Sequence, residues 1–189
     1  MSETKEIVFS VSPQGEKFSI PSKEEYSEEF KRLERLAAKA KEEGKEVVVV
    51  MGVGFVGAVM AAIIADTRDK KSGKHSKFVI GCQRPSKRSY WKIPLLNQGL
   101  SPVKAEDPEV DELISRCVKE TKTLTATYNS DCLGLADCVV VDVQCDYLKN
   151  ALGDMRNGEA DMAALEATMK TIGEKIQPQC LVLIETTVA

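Results

Sequence analysis

An α/β fold, a doubly wound and mainly parallel sheet with helices on both faces, is what this sequence predicts, and three observations predict it. Beyond Gly44, short apolar runs of strand length, "VVVVM", "FVIGC", "CVVVDV" and "LVLIETTV", alternate with segments of helical periodicity. Those runs are apolar at nearly every position, as in parallel strands buried on both faces. The third observation is Val47–Ala65, nineteen residues without a charged or polar side chain, which three glycines divide into a β-branched run, a turn and an apolar helix.

The elements follow in order. Residues 22–43 read as an amphipathic helix. Ser22 and Glu25 fit a capping box, Tyr26, Phe30, Leu33, Ala37 and Ala40 form the apolar stripe, and Gly44 suits the C-terminal stop. Its charged remainder reads as a solvated face, with a partner-docking helix as the alternative. Ahead of it, "EIVFSV" and "EKFSI" suggest a strand or hairpin within residues 1–21. Val47–Met51 is the first strand of the sheet, and Phe55–Ala65 a helix apolar nearly all round, hence buried. The charged "DTRDKKSGKHSK" is a loop, and Phe78–Cys82 the second strand. Asp107 and Pro108 open a helix as N-cap and first helical residue, with Val110, Leu113, Ile114 and Cys117 on one face. "TLTAT" is a short β-prone segment, and Cys138–Val143 and Leu181–Thr186 are two more buried strands. Between these, Met162, Leu165, Met169, Ile172 and Ile176 make a helical stripe that ends before Pro178.

Gly52, Gly54 and Gly57 stand at G-x-G-x-x-G spacing between a strand and a helix. In that setting Gly52 permits a tight turn, Gly54 lets backbone approach a pyrophosphate, and Gly57 lets the helix pack close on the strand. The N–H groups at the start of the helix, around Phe55 and Val56, then face the phosphates at its positive end. Glycines serving packing alone are the other reading. The motif makes the predicted sheet Rossmann-type, with residues 46–189 as a dinucleotide-binding domain and residues 1–45 as an N-terminal helical extension. Nineteen apolar residues also suffice to cross a bilayer, but the valine run and the glycines divide them into shorter elements.

The usual fingerprint adds an acid at the end of the second strand for the ribose hydroxyls. Here Gln83 occupies that place and Arg84 follows. Gln83 can hydrogen-bond a ribose, whereas Arg84, with Lys87 and Arg88 behind it, can pair with a 2′-phosphate, so NAD and NADP both stay open. A solvated basic loop is the bland reading. Asp142 is the odd residue of "CVVVDVQCDY", since a buried strand does not carry an unpartnered carboxylate. It either reaches the mouth of the cleft with Gln144, Asp146 and Tyr147 or caps a neighbouring backbone. Glu185, Thr186 and Thr187 hold the corresponding end of the last strand and have the same two readings.

The totals narrow the classes further. At 189 residues, 43% apolar and 29% charged, the chain has the composition of one soluble domain. A net charge of -3 gives no electrostatic reason to expect nucleic acid or an anionic membrane, and Tyr90 and Trp91 beside the basic loop read as packed rings. The six cysteines form no C-x-x-C and read as reduced core residues. His75, the single histidine, has no ligand cluster, so no metal is expected. "MSETKEIVFS" lacks the regions of a signal peptide, which makes the cytoplasm the expected compartment.

In their order, these residues resemble the family of UDP-glucose and GDP-mannose dehydrogenases. "GVGFVG" looks like its opening motif, and "IPLLNQGLSPVKAEDPEVDELI" is similar to its N-x-G-x-S-P stretch, acidic segment and helix. "TLTATYNSDCLGLADCVVVDV" resembles its short strand, helix and A-D-opened fourth strand, and "LVLIETTVA" its fifth strand ending in E-S-T-V. The resemblance runs from Glu46 to Ala189 and leaves residues 1–45 outside. It implies a cytoplasmic enzyme, homodimeric or larger, that oxidises the C6 alcohol of a UDP- or GDP-sugar to a uronate with NAD, by two hydride transfers and a cysteine thioester. By the same resemblance Gly52, Gly54 and Gly57 hold the pyrophosphate, Thr187 lies near the nicotinamide end, and Glu185 stands close to the reacting centre.

The departures set expectations too. Gln83 replaces the ribose-binding acid, and "VQCDY" stands where the family has V-x-T-P. The family's G-x-C loop, catalytic lysine and sugar-binding domain have no counterpart in these 189 residues. The chain is therefore expected to bind the cofactor without catalysing alone, the nucleotide sugar being held by the missing half. A non-enzymatic nucleotide-sensing or interaction module, using the helix at 22–43, is the alternative from another class.

Overall fold

The computed structural model describes residues 7–149, 151, 153 and 158–187. The chain opens with an antiparallel hairpin, β1 (Phe9–Val11) and β2 (Lys17–Ser19), turned at Gly15 with φ 91°. Helix α1 (Glu25–Glu42) follows; Glu25 reaches back to the Ser22 N–H at 2.7 Å, so half of the expected capping box forms, and the Ser22 hydroxyl takes no part. Then come β3 (Glu46–Met51), α2 (Phe55–Ala65), β4 (Lys77–Cys82) and the short α3 (Lys92–Asn97). The sequence pattern predicts no helix at α3, since six residues are too few to display periodicity. Helix α4 (Glu109–Ser115) starts after Pro108 and runs on through a π-helical turn at Arg116–Glu120; the Asp107 carboxylate accepts the Glu109 N–H at 2.9 Å, the capping role expected of it. Strand β5 (Leu124–Thr127), a 3-10 turn (Ser130–Leu135) and β6 (Cys138–Val141) lead to a two-stranded ribbon, β7 (Asp146–Leu148) with β8 (Glu159–Asp161). Helix α5 (Ala163–Lys175) and β9 (Leu181–Ile184) complete the fold.

Five strands form one parallel sheet in the spatial order β5-β4-β3-β6-β9. The chain winds outward from β3 to β5, then crosses back to β6 and out to β9. The direction of winding reverses between β3 and β6, and the crevice at the carboxyl ends of two such strands is where open α/β sheets hold ligands. The doubly wound prediction is met.

Alternation along β3 shows why the sheet needs helices on both faces. Val47 and Val49 pack with Leu33, Ala37 and Ala40 of α1 and with Leu165 and Ile172 of α5. Val48 and Val50 pack with Ala58, Ala61, Ala62 and Ala65 of α2, with Ile93 and Leu96 of α3, and with Ile114. Each fully buried valine contributes about 1.5–3 kcal/mol of transfer free energy. Helix α1 thus spends its apolar stripe on the sheet, which leaves that stripe unavailable to a docking partner. It also closes the β5 edge: Arg32 donates to Thr125 Oγ1 at 3.1 Å and to Ala126 O at 3.3 Å, and Thr127 Oγ1 donates to Glu29 at 2.6 Å. Asn97 takes the Ala126 N–H at 2.7 Å and gives its own amide to Ala126 O at 3.0 Å. An exposed sheet edge is otherwise a template for unwanted pairing.

Two expectations are corrected. Strand β6 ends at Val141, so Asp142 stands just beyond the strand rather than within it. Strand β9 is not buried: Leu181 is 57% and Ile184 50% exposed, because among the described residues β9 is the last strand of the sheet and pairs only with β6. Among the described residues no helix is long and apolar enough to cross a membrane; the apolar run Val47–Ala65 is divided between β3 and α2.

Candidate dinucleotide-binding site

The turn between β3 and α2 sits at the carboxyl end of the sheet, and each of its glycines meets a different constraint. Gly52 has φ 98°, and a Cβ there would overlap the Asp142 carbonyl. Gly57 lies in the first turn of α2, where a Cβ would overlap Gly52 O and stand 2.7 Å from Asp142 Oδ2. Gly54, the N-cap of α2, has nothing within 4 Å of its ideal Cβ. Close approach of backbone thus explains two glycines from inside the protein, and open space at the third leaves room for a ligand. The first turn of α2 offers donors to that space. Among the described residues the N–H groups of Phe55, Val56 and Gly57 meet no protein acceptor, and the first intrahelical bond is Ala58 N–H to Gly54 O at 3.2 Å. Unfilled N–H groups and the positive helix end together make a site for an anionic oxygen. Phe55 and Val56 are 69% and 53% exposed, so their side chains flank that space.

Gln83 stands at the end of β4 with its place already half taken. Its Oε1 accepts the Val53 N–H at 3.1 Å, tying the residue to the glycine turn, and its own N–H donates to Thr127 O at 3.0 Å. The side-chain amide NH2 and the second lone pair of Oε1 remain, and the NH2 donates to oxygen acceptors where an acid would only accept from hydroxyls. Arg84 beside it is exposed and fixed through its carbonyl, which takes the Ser89 hydroxyl at 2.9 Å.

Across the crevice, the Asp142 N–H donates to Met51 O at 2.9 Å and its carboxylate lies against Gly57. Among the described residues that carboxylate receives no hydrogen bond and caps no backbone. Burial pushes its pKa up, and the Glu185 charge adds to the shift. Glu185 is exposed, with its N–H on Val141 O at 3.0 Å. Thr186 joins the ends of β6 and β9, taking the Val143 N–H at 3.1 Å and donating to Val143 O at 2.9 Å. Thr187 is exposed beyond them. Gln144 and Asp146 bond each other at 2.6 Å on the exposed side. The structure therefore brings the three glycines, Gln83, Asp142, Glu185 and Thr186 to one end of the sheet.

Sequence reasoning missed Gly81 and Val53. Val53 is fully buried under the turn, and a Cβ on Gly81 would stand 2.7 Å from its Cγ1. A glycine inside an apolar strand was the available signal, since it marks close approach of another group.

Comparison with known proteins agrees with this geometry. The sequence model of the UDP-glucose/GDP-mannose dehydrogenase family, NAD binding domain, matches residues 46–189. No curated protein sequence matches the chain closely enough to count as a relative. Among solved structures, NDP-N-acetyl-D-galactosaminuronic acid dehydrogenase from Methanosarcina mazei Go1 is 32% identical with a TM-score of 0.64, over 82% of this chain and 30% of that one. GDP-mannose dehydrogenase from Pseudomonas aeruginosa is 26% identical with a TM-score of 0.58, over 75% of this chain and 28% of that one. UDP-D-ManNAc dehydrogenase from Pyrococcus horikoshii, at 24% identity and a TM-score of 0.58, shares the fold. This chain thus spans under a third of the length of the first two of these solved enzymes. With its β3–α2 glycine turn at the switch point of a parallel sheet, the chain belongs to the UDP-glucose/GDP-mannose dehydrogenase family, as its NAD-binding domain.

Proposed function

We propose that this domain holds NAD for a dehydrogenase that oxidises the C6 alcohol of a nucleotide sugar to a uronate. The observation that carries the reading is the open turn at Gly54, beside three N–H groups that meet no acceptor among the described residues. Gly52, Gly54 and Gly57 with the Phe55 and Val56 backbone would hold the pyrophosphate, and Gln83 and Arg84 would meet the ribose. Thr187 would lie toward the nicotinamide and Glu185 close to the reacting carbon. The bound nicotinamide accepts hydride; the protein's part is to hold it at the end of the sheet. The nucleotide sugar, the nucleophilic cysteine and a dimeric or larger assembly belong to the rest of such an enzyme, placed in the cytoplasm. These 189 residues are accordingly proposed to bind cofactor without turnover.

NADP is a second reading on a specific observation: the Gln83 amide NH2 and the exposed Arg84 stand side by side as donors, a pairing that suits a 2′-phosphate. Calorimetric titration with NADH and NADPH tests both. Saturable binding of NADH supports the proposal, and binding of neither nucleotide sinks it. A tighter NADPH isotherm would move the assignment to NADP.

A further inference from the structure

We infer that the amino-terminal hairpin and the start of α1, outside the residues the family model matches, form a brace for the cofactor's adenosine end, with Ser10 as its positioning residue. The inference rests on the cofactor reading. The loop following Gln83 and Arg84 returns to α3 through residues 84–91, and it is held from the amino-terminal side. Ser10, fully buried in β1, donates its hydroxyl to Lys87 O at 2.8 Å and accepts the Trp91 N–H at 3.1 Å. Within the loop, the Trp91 indole N–H donates to Arg88 O at 3.0 Å.

Tyr90 packs on Tyr128 at 6.0 Å between ring centroids, and Tyr128 packs edge-on against Tyr26 of α1 at 5.0 Å. The Tyr128 hydroxyl donates to Glu25 O at 3.3 Å, and Asn129 donates to Tyr26 O at 2.9 Å. Thus the loop carrying Arg84 is bonded directly to Ser10, 77 and 81 residues away in sequence, and its Tyr90 ring rests on Tyr128, which is itself tied to the start of α1. A loop fixed before binding spares the ligand the cost of ordering it. Without the Ser10 hydroxyl, Lys87 O and Trp91 N–H lose their partner together, and the loop gains freedom where the ribose is read.

Trp91, the single tryptophan and nearly buried, reports on the brace directly. NADH titrations followed by energy transfer from Trp91 compare the unmodified chain, Ser10→Ala and Ser10→Thr. The expected result is affinity lowered roughly fivefold in Ser10→Ala, the factor of one buried hydrogen bond, with red-shifted Trp91 emission and recovery in Ser10→Thr. Equal affinities in the unmodified chain and Ser10→Ala would overturn the brace and leave the cofactor reading standing. Absence of binding by the unmodified chain would remove both. Should Ser10→Ala not fold, hydrogen exchange on the unmodified chain decides. Because coupling is reciprocal, NADH must slow exchange in residues 9–19 as well as 84–91. Protection confined to the β3–α2 turn and residues 84–91 overturns the inference.

Discussion

Gly57→Ala separates the packing role of the glycine turn from its ligand role. The added methyl would overlap Gly52 O and lie 2.7 Å from Asp142 Oδ2, with Gly52 C at 3.0 Å. Two of those three atoms are backbone, so no side-chain rotation relieves the overlap, and the first turn of α2 must withdraw from β3. Overpacking of this kind costs about 1–3 kcal/mol. Alanine recovers about 1 kcal/mol through its higher helix propensity. The net loss is therefore about 0–2 kcal/mol, and the melting temperature falls by at most roughly 8 °C. Binding is the sharper readout. Withdrawal carries the N–H groups of Phe55, Val56 and Gly57 out of register with Gly54, and losing one charge-assisted hydrogen bond weakens NADH by about 10- to 100-fold. Gly54→Ala is the matched control. Its methyl meets no protein atom, so stability changes by about 1 kcal/mol or less, yet it fills the open space and binding falls as far. Calorimetric titration with thermal melts of both variants gives the comparison. NADH affinity within about twofold of the unmodified chain in either variant would refute the placement of the pyrophosphate over this turn.

Asp142→Asn raises stability at neutral pH. The folded value of Asp142 lies above its ordinary one through burial and the Glu185 charge, so the folded chain holds that proton more tightly than the unfolded chain. Its contribution is fully present below about pH 4, the ordinary aspartate value, and is lost as pH rises through the raised folded value. Melts from acid to neutral pH should show the variant gaining over the unmodified chain as pH rises; parallel curves would contradict the buried-charge account. Leu33→Ala tests whether α1 is part of the domain. Leu33 is fully buried against the sheet, so truncation costs about 2–5 kcal/mol, and chemical denaturation should remain one cooperative transition. A loss under about 0.5 kcal/mol would make α1 an appendage.

The sheet and the glycine turn were legible because their signals are local. Four valines in a row suit a doubly buried strand, and the spacing of Gly52, Gly54 and Gly57 can be read before any partner is known. The limits of α2, Phe55 and Ala65, coincide with the end of the glycine turn and the last apolar residue before Asp66. Buried strand ends were less legible: the sequence pattern runs Asp142 and Glu185 into strands, yet both follow the last paired residue. The apolar run at β9 could not announce that one of its edges lies open, because exposure follows from which strand ends the order in space.

By itself, then, the sequence determined the β3–turn–α2 unit, the alternation that requires a doubly covered parallel sheet, and the family. Tertiary structure alone decided the rest. It gave Gln83 Oε1 to Val53, set the Asp142 carboxylate against Gly57, and made α1 a wall of the core. It also joined Ser10 to Lys87 and Trp91 across 77 and 81 residues. The physical reason is common to all four. Periodicity records which face of an element is apolar, whereas the partner of a buried donor, carboxylate or apolar stripe depends on strand order and register, which bring distant segments of chain together.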